Sequence, residues 1–159
     1  MVSKLLFILQ FISFLSPKEI KPNLIGIWQN EPSIGSGWSD NIQFFADGTY
    51  KYNYSQMKCD KRIISMQGSW SYEENGDLKL VVIREIVIEG GKLVPATGSC
   101  ASKFEIEGGE IKTKIKKIPE INILKLSDFF IDSENNNLET IKFDDNQFWK
   151  IEKDPNNYF

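Results

Sequence analysis

Two cysteines, Cys59 and Cys100, stand 41 residues apart, and the 159 residues include no histidine. The missing imidazole removes Ser-His-Asp and Cys-His nucleophile pairs, histidine-ligated metals and the usual side chain that titrates near neutral pH. The cysteine spacing is too wide for a zinc knuckle or a redox C-x-x-C pair. In an oxidising compartment the two would form a bridge, worth about 4 kcal/mol on the chain-entropy model; two free, buried thiols are the alternative. Among the carboxylates, Asp144-Asp145 and Glu73-Glu74 are adjacent, so in a strand each pair would point to opposite faces and could not share a proton. Asp128 with Asp132 reads as a solvated edge, and residues 132–139 match the alternating oxygen ligands of a calcium loop only loosely. Ser69 and Ser71 have no base beside them in the sequence. These residues predict no catalysis, no metal and no cofactor.

The residue types that remain suit binding. Tyr50, Tyr52 and Tyr54 alternate along one segment, with Phe45 just before them and Trp70 beyond. Tyrosine combines an apolar body with a hydroxyl able to bond a ligand, so these five could line a cavity. Cross-strand aromatic pairs with no ligand would produce the same pattern. Trp38 lies between Gly37 and Ser39, in a loop, where it would guard an opening or fold the loop down.

The elements that must position these groups are strands. From Leu24 onward, short apolar or alternating runs are separated by turn signals at regular intervals, with no sustained helical period, the pattern of an all-β sandwich or barrel. Asn75-Gly76 predicts a two-residue type I′ hairpin that pairs Glu74 with Asp77, placing Trp70 opposite Val81 and Tyr72 opposite Lys79. Asp47-Gly48 predicts a second, pairing Ala46 with Thr49, so that Phe45, Tyr50, Tyr52 and Tyr54 share a face while Ile42 and Phe44 point away. Gly90-Gly91 and Gly108-Gly109 mark two more turns. After the latter, strict alternation sends Ile106, Ile111 and Ile115 inward and Lys112, Lys114 and Lys116 outward. Pro119 interrupts, another strand covers 121–131, and two more follow. So long an open meander would leave bare edges; closure into a single up-and-down antiparallel barrel of about eight to ten strands removes them, with a β-sandwich as the alternative.

The chain carries a formal charge of -3, with no overall basic field for nucleic acid or an anionic membrane. Residues 1–16 read as a secretory signal: one lysine, then the apolar run 5–15, too short to span a bilayer. Residues 17–23 read as a linker and 24–159 as the folded domain. The expected location is exported, periplasmic or extracellular, and the protein is not expected to be transmembrane.

Leu24-Ile25-Gly26-Ile27-Trp28, followed by Phe45-Ala46-Asp47-Gly48-Thr49-Tyr50 and by Gly68-Ser69-Trp70-Ser71-Tyr72, resembles the opening of bacterial lipocalin-like domains. The resemblance covers residues 24–83 and implies a calycin-type β-barrel. It implies that Trp28, after Gly26, plugs the closed end and that Lys150, near the last strand, packs over it where an arginine is more usual. The family's helix before the last strand has no counterpart in the polar segment 132–138. The function implied is a monomeric carrier of a small hydrophobic molecule, with Trp38, Phe45, Tyr50, Tyr52, Tyr54 and Trp70 at the cavity or its mouth. The alternative is a rigid scaffold that binds or inhibits another protein through loops 31–39, 55–61 and 94–101.

Overall fold

The computed structural model describes residues 21–35 and 37–158; the expected leader and the start of the linker lie outside them. The described chain is all-β. Eleven strands are formed: β1 (Gly26–Gln29), β2 (Asn41–Phe44), β3 (Thr49–Asn53), β4 (Ile63–Tyr72), β5 (Leu78–Glu89), β6 (Lys92–Pro95), β7 (Phe104–Glu107), β8 (Glu110–Leu124), β9 (Leu126–Asp132), β10 (Leu138–Phe143) and β11 (Asn146–Glu152). No helix among the described residues is long and apolar enough to cross a membrane.

Nine strands form one antiparallel sheet in the order β8-β5-β4-β3-β2-β1-β11-β10-β9, and β6 with β7 forms a separate ribbon. The first strand in sequence pairs with the last. The two edge strands, β8 and β9, are consecutive in the chain and joined by Lys125 alone. No ladder runs between them; Lys125 instead binds the β10–β11 turn, its N–H donating to Asp144 Oδ1 and its carbonyl accepting from Asp144 N–H, both at 2.8 Å.

One face of the sheet holds the core, in which Trp28, Ile42, Phe44, Tyr50, Leu78, Leu80, Ile141, Phe143 and Phe148 are buried. Edge-on aromatic contacts link Trp28 to Phe143, Phe143 to Phe148 and Phe44 to Trp70, with centroids 6.2, 5.2 and 5.4 Å apart. Such geometries place a positive ring edge on a negative face.

Both predicted hairpin registers are corrected by one residue. Phe44 pairs with Tyr50, and Trp70 with Leu80. In each hairpin the turn spans three residues: Gly48 N–H donates to Phe45 O and Gly76 N–H to Glu73 O, both at 3.1 Å. The glycines, at φ +81° and +90°, take the left-handed position that follows a type I turn, while Asp47 and Asn75 keep negative φ. A type I′ turn would need both central residues left-handed. The extra residue moves every side chain to the opposite face, so Ile42 and Phe44 join Tyr50 and Tyr52 inside, and Phe45 goes outside.

The glycine pairs do mark turns, but β6 does not fold back on β5, because Ile88 and Glu89 pair with Ile111 and Glu110 of β8. The chain leaves the main sheet at Gly90, forms the β6–β7 ribbon and returns at Gly109. Pro119 does not end a strand: β8 runs through it as a bulge, with residues 116–119 opposite Ile83 between two regular ladders. That is where an edge strand tolerates proline. The predicted facing of this strand is inverted, since Ile111 and Ile115 are exposed and Lys116 turns to the inner side. Gly68 is needed for a different reason: a Cβ there would lie 1.7 Å from the carbonyl oxygen of Val81.

Candidate functional site

Above the aromatic core the inner face of the sheet borders an open cavity of about 770 Å³. Its floor is apolar, made by Leu80 of β5, Leu124 of β8, Phe143 of β10 and Phe148 of β11. One wall is aromatic. Tyr52 points in because it alternates with Lys51 on β3, and Tyr54 follows it just past the strand, held by a bond from its N–H to Ile64 O at 3.0 Å. Their ring centroids are 4.7 Å apart.

The rim is charged. Asp40, which precedes β2, accepts from Tyr52 Oη (3.0 Å), Ser55 N–H (2.8 Å) and Lys58 Nζ (2.7 Å). On the opposite wall Lys116 Nζ lies 2.9 Å from Glu85 and 2.7 Å from Glu120. The hydrogen bond to Lys116 lowers the Glu120 pKa, and the two carboxylates raise that of Lys116. Lys61 Nζ sits 3.8 Å from the centre of the Tyr54 ring, a cation held by the ring quadrupole. Among the described residues it is the rim lysine without a carboxylate partner.

Burial raises the pKa of Tyr50, Tyr52, Tyr54 and Tyr72, in Tyr52 with added repulsion from Asp40 and in Tyr72 up to about 12. A raised phenol means that the folded chain holds protons the unfolded chain has lost, so stability falls as pH rises above the ordinary value of about 10. The urea midpoint should therefore drop steadily from pH 9 to 11.5, with phenolate absorbance near 295 nm appearing together with unfolding. Full ionisation by about pH 11 with the fold intact would contradict this placement.

Of the residues singled out from sequence, Tyr52 and Tyr54 line this cavity. Tyr50 and Trp70 lie below it in the core, where Trp70 Nε1 donates to Phe45 O at 3.1 Å. Phe45 lies on the outer surface beside Thr49 and Ile115. Trp38 is half exposed, next to the Cys59–Cys100 disulfide. The three loops named as a partner surface converge: Gln56 N–H donates to Gly37 O and Ala101 N–H to Met57 O, both at 2.8 Å, and the disulfide joins the last two.

Trp28 is fully buried and donates from Nε1 to Leu24 O at 2.7 Å. Lys150 Nζ lies 4.9 Å from a Trp28 ring centre, 2.6 Å from Asn23 O and 2.9 Å from Glu139. Gly26, at φ +133°, admits Glu152 O to within 2.5 Å of where a Cβ would stand. Asp132, in the loosely calcium-like segment, spends its carboxylate on Trp149 Nε1 (2.7 Å), Asn135 Nδ2 (2.8 Å) and Glu134 N–H (3.0 Å), which together lower its pKa. No cluster of three metal-ligating acidic or sulfur side chains occurs among the described residues.

Sequence reasoning missed Asp40, Lys61, Glu85, Lys116 and Glu120. A usable signal existed for two of them, Glu85 and Lys116, since Glu85 and Glu89 on β5 pair with lysines of β8. Together the fold and the site define the class: an all-β protein with one large antiparallel sheet whose inner face borders an open, aromatic-walled cavity. No family model, curated protein or solved structure matches the chain.

Proposed function

We propose that the protein is an exported, non-enzymatic, lipocalin-like β-barrel that binds a small hydrophobic molecule in its interior. The observation carrying this reading is the cavity of about 770 Å³ with its floor of Leu80, Leu124, Phe143 and Phe148, in the size range of small-molecule sites. Pairing of the first strand with the last supports a barrel over a sandwich, with the seam between β8 and β9 covalently bridged by Lys125. The Cys59–Cys100 bridge supports an oxidising compartment. The polar groups of the lining, which include Asp40, Lys58, Lys61, Glu85, Lys116 and Glu120, would orient a ligand whose body lies on the floor.

The test is titration with an environment-sensitive anionic naphthalene dye. Saturable binding is expected, and Leu124→Trp, which fills the floor, should weaken it by about tenfold, or roughly 1.4 kcal/mol. Absence of saturable binding, or equal binding by the filled variant, would defeat the carrier reading.

One observation favours a second reading, a scaffold for a protein partner. Trp38 stands half exposed beside a hollow of about 180 Å³ bordered by Gln56, Met57 and Ser99, on loops already tied together. Trp38→Ala would then abolish partner capture while leaving dye binding intact.

A further inference from the structure

The four most exposed large apolar side chains among the described residues all lie on β8. On β8, Ile111, Ile115 and Ile118 are 71%, 65% and 84% exposed, and Ile121, Ile123 and Ile83 of β5 are exposed too. Register joins them, because Ile121 is opposite Val81, Ile115 opposite Arg84 and Ile111 opposite Ile88.

The acidic residues of these strands are all on the other side. Glu85 and Glu120 face the cavity with Lys116, and Glu89 and Glu110 are bonded to Lys112 in the same row. Strands β3 and β4 contain no acidic residue. The outer face of β3, β4, β5 and β8 is therefore aliphatic and cationic, without a carboxylate of its own. Lys79 pairs with Glu73 of the adjoining turn. Lys51, Arg84 and, on the β8 bulge, Lys117 have no carboxylate within 4.0 Å among the described residues. Lys51 and Arg84 border a groove of about 480 Å³ together with Phe45, Gln67, Ile83 and Ile115.

We propose that this outer face docks the protein onto an anionic phospholipid surface, the isoleucines entering the headgroup boundary and the free cations meeting lipid phosphates. Charge decides between this occupant and a second copy of the chain. A two-fold dimer would turn like cations toward one another with no carboxylate between them, whereas an anionic interface neutralises them. Strand addition at the β8 edge is blocked by the bulge and Pro119. The net charge of -3 does not oppose docking at contact range, because the acidic residues of β5 and β8 lie on the other side of the sheet and the field is screened within about 10 Å at moderate salt.

The test is co-sedimentation of the full chain with vesicles of phosphatidylcholine alone or mixed equally with phosphatidylglycerol. Binding is expected on the mixed vesicles at low salt, with about a tenfold loss on neutral vesicles or at high salt. Two surface variants separate the contributions, Ile118→Asp with Ile121→Asp for the apolar part and Lys51→Glu with Lys117→Glu for the charge. Each should reduce vesicle binding by about tenfold, with circular dichroism and cavity dye binding unchanged. Three results would overturn the proposal: no binding to anionic vesicles at low salt, binding that both variants retain, or a dimer that the isoleucine variant dissociates in a protein that ignores vesicles. Dye binding reports on the cavity separately, so failure here leaves the carrier reading standing, and the reverse holds too.

Discussion

Trp28→Ala is expected to lower the free energy of unfolding by about 3 to 5 kcal/mol, the range for deleting a large buried aromatic without collapse of the site. Collapse is difficult at this position. Trp28 is the largest fully buried side chain and meets Phe143 edge-on, and Phe143 in turn touches Phe44 and Phe148. The void would open beneath the cavity floor, among rings on three different strands. Deletion also removes the donor of the 2.7 Å bond to Leu24 O and the ring face beneath the Lys150 ammonium. Trp28→Phe keeps most of the apolar area and loses the bond, so it should cost about 1 to 2 kcal/mol. Urea unfolding at neutral pH measures both. If Trp28→Ala costs no more than Trp28→Phe, the indole's volume is not what organises this end of the sheet. Lys150→Met is the companion experiment. It leaves Glu139, partly exposed, able to turn to water, so the loss should stay below that of Trp28→Ala.

How the sequence relates to this fold is clearest in the two hairpins. Asp47-Gly48 and Asn75-Gly76 mark their turns correctly, and the strands on either side are where alternation places them. The register is another matter, because a glycine preceded by Asp or Asn serves equally well as the second residue of a type I′ turn or as the bulge residue after a type I turn. The choice depends on which face must be buried. Having Phe44, Tyr50, Trp70, Leu80 and Leu78 on one side makes a more apolar face than the register that mixes Trp70 with Val81 and Tyr72 with Lys79. That comparison needs both hairpins at once, together with β10 and β11, and no single window contains it.

The cavity was half legible for a related reason. Period-two spacing finds Tyr52 and Tyr54, since aromatic residues on one strand face must go somewhere dry. It cannot tell the inner from the outer side of β8, whose isoleucines and lysines alternate perfectly well either way. The usual inference, apolar side in, fails because β8 is an edge strand whose first half extends along β5 past the core. There the inner row of lysines is matched to Glu85 and Glu89, and the isoleucines are left outside. Phe45 faces outward because of the hairpin register, which is settled by contacts remote in sequence.

Replacing Cys59 and Cys100 together by serine is expected to cost about 2 to 4 kcal/mol of stability, and to loosen one part of the molecule more than the rest. The bridge closes a loop with a sequence separation of 41 that contains β4, β5 and the first strand of the ribbon, β6, with β7 just beyond it, so its loss enlarges the unfolded ensemble. The native state changes as well. The ribbon has only four residues per strand and exposes Leu93 and Phe104, too little for an isolated hairpin to persist in water. Apart from the disulfide, its anchors to loop 55–61 include the bonds from Ala101 N–H to Met57 O and from Ile106 N–H to Cys59 O, at 2.8 and 3.1 Å. Fraying of the ribbon would return some chain entropy to the folded state, which holds the global loss at or below the roughly 4 kcal/mol of the pure loop model. Hydrogen exchange separates the two effects: amides of residues 92–107 should lose protection at least as fast as global unfolding requires, while those of β1, β2 and β11 keep it. Because Lys58 and Lys61 flank Cys59 and both border the cavity, dye affinity should fall in the same variant even where the fold remains. An unchanged urea midpoint together with unchanged protection of residues 92–107 would show that the backbone bonds alone hold the mouth of the cavity, and that the disulfide contributes nothing to its shape.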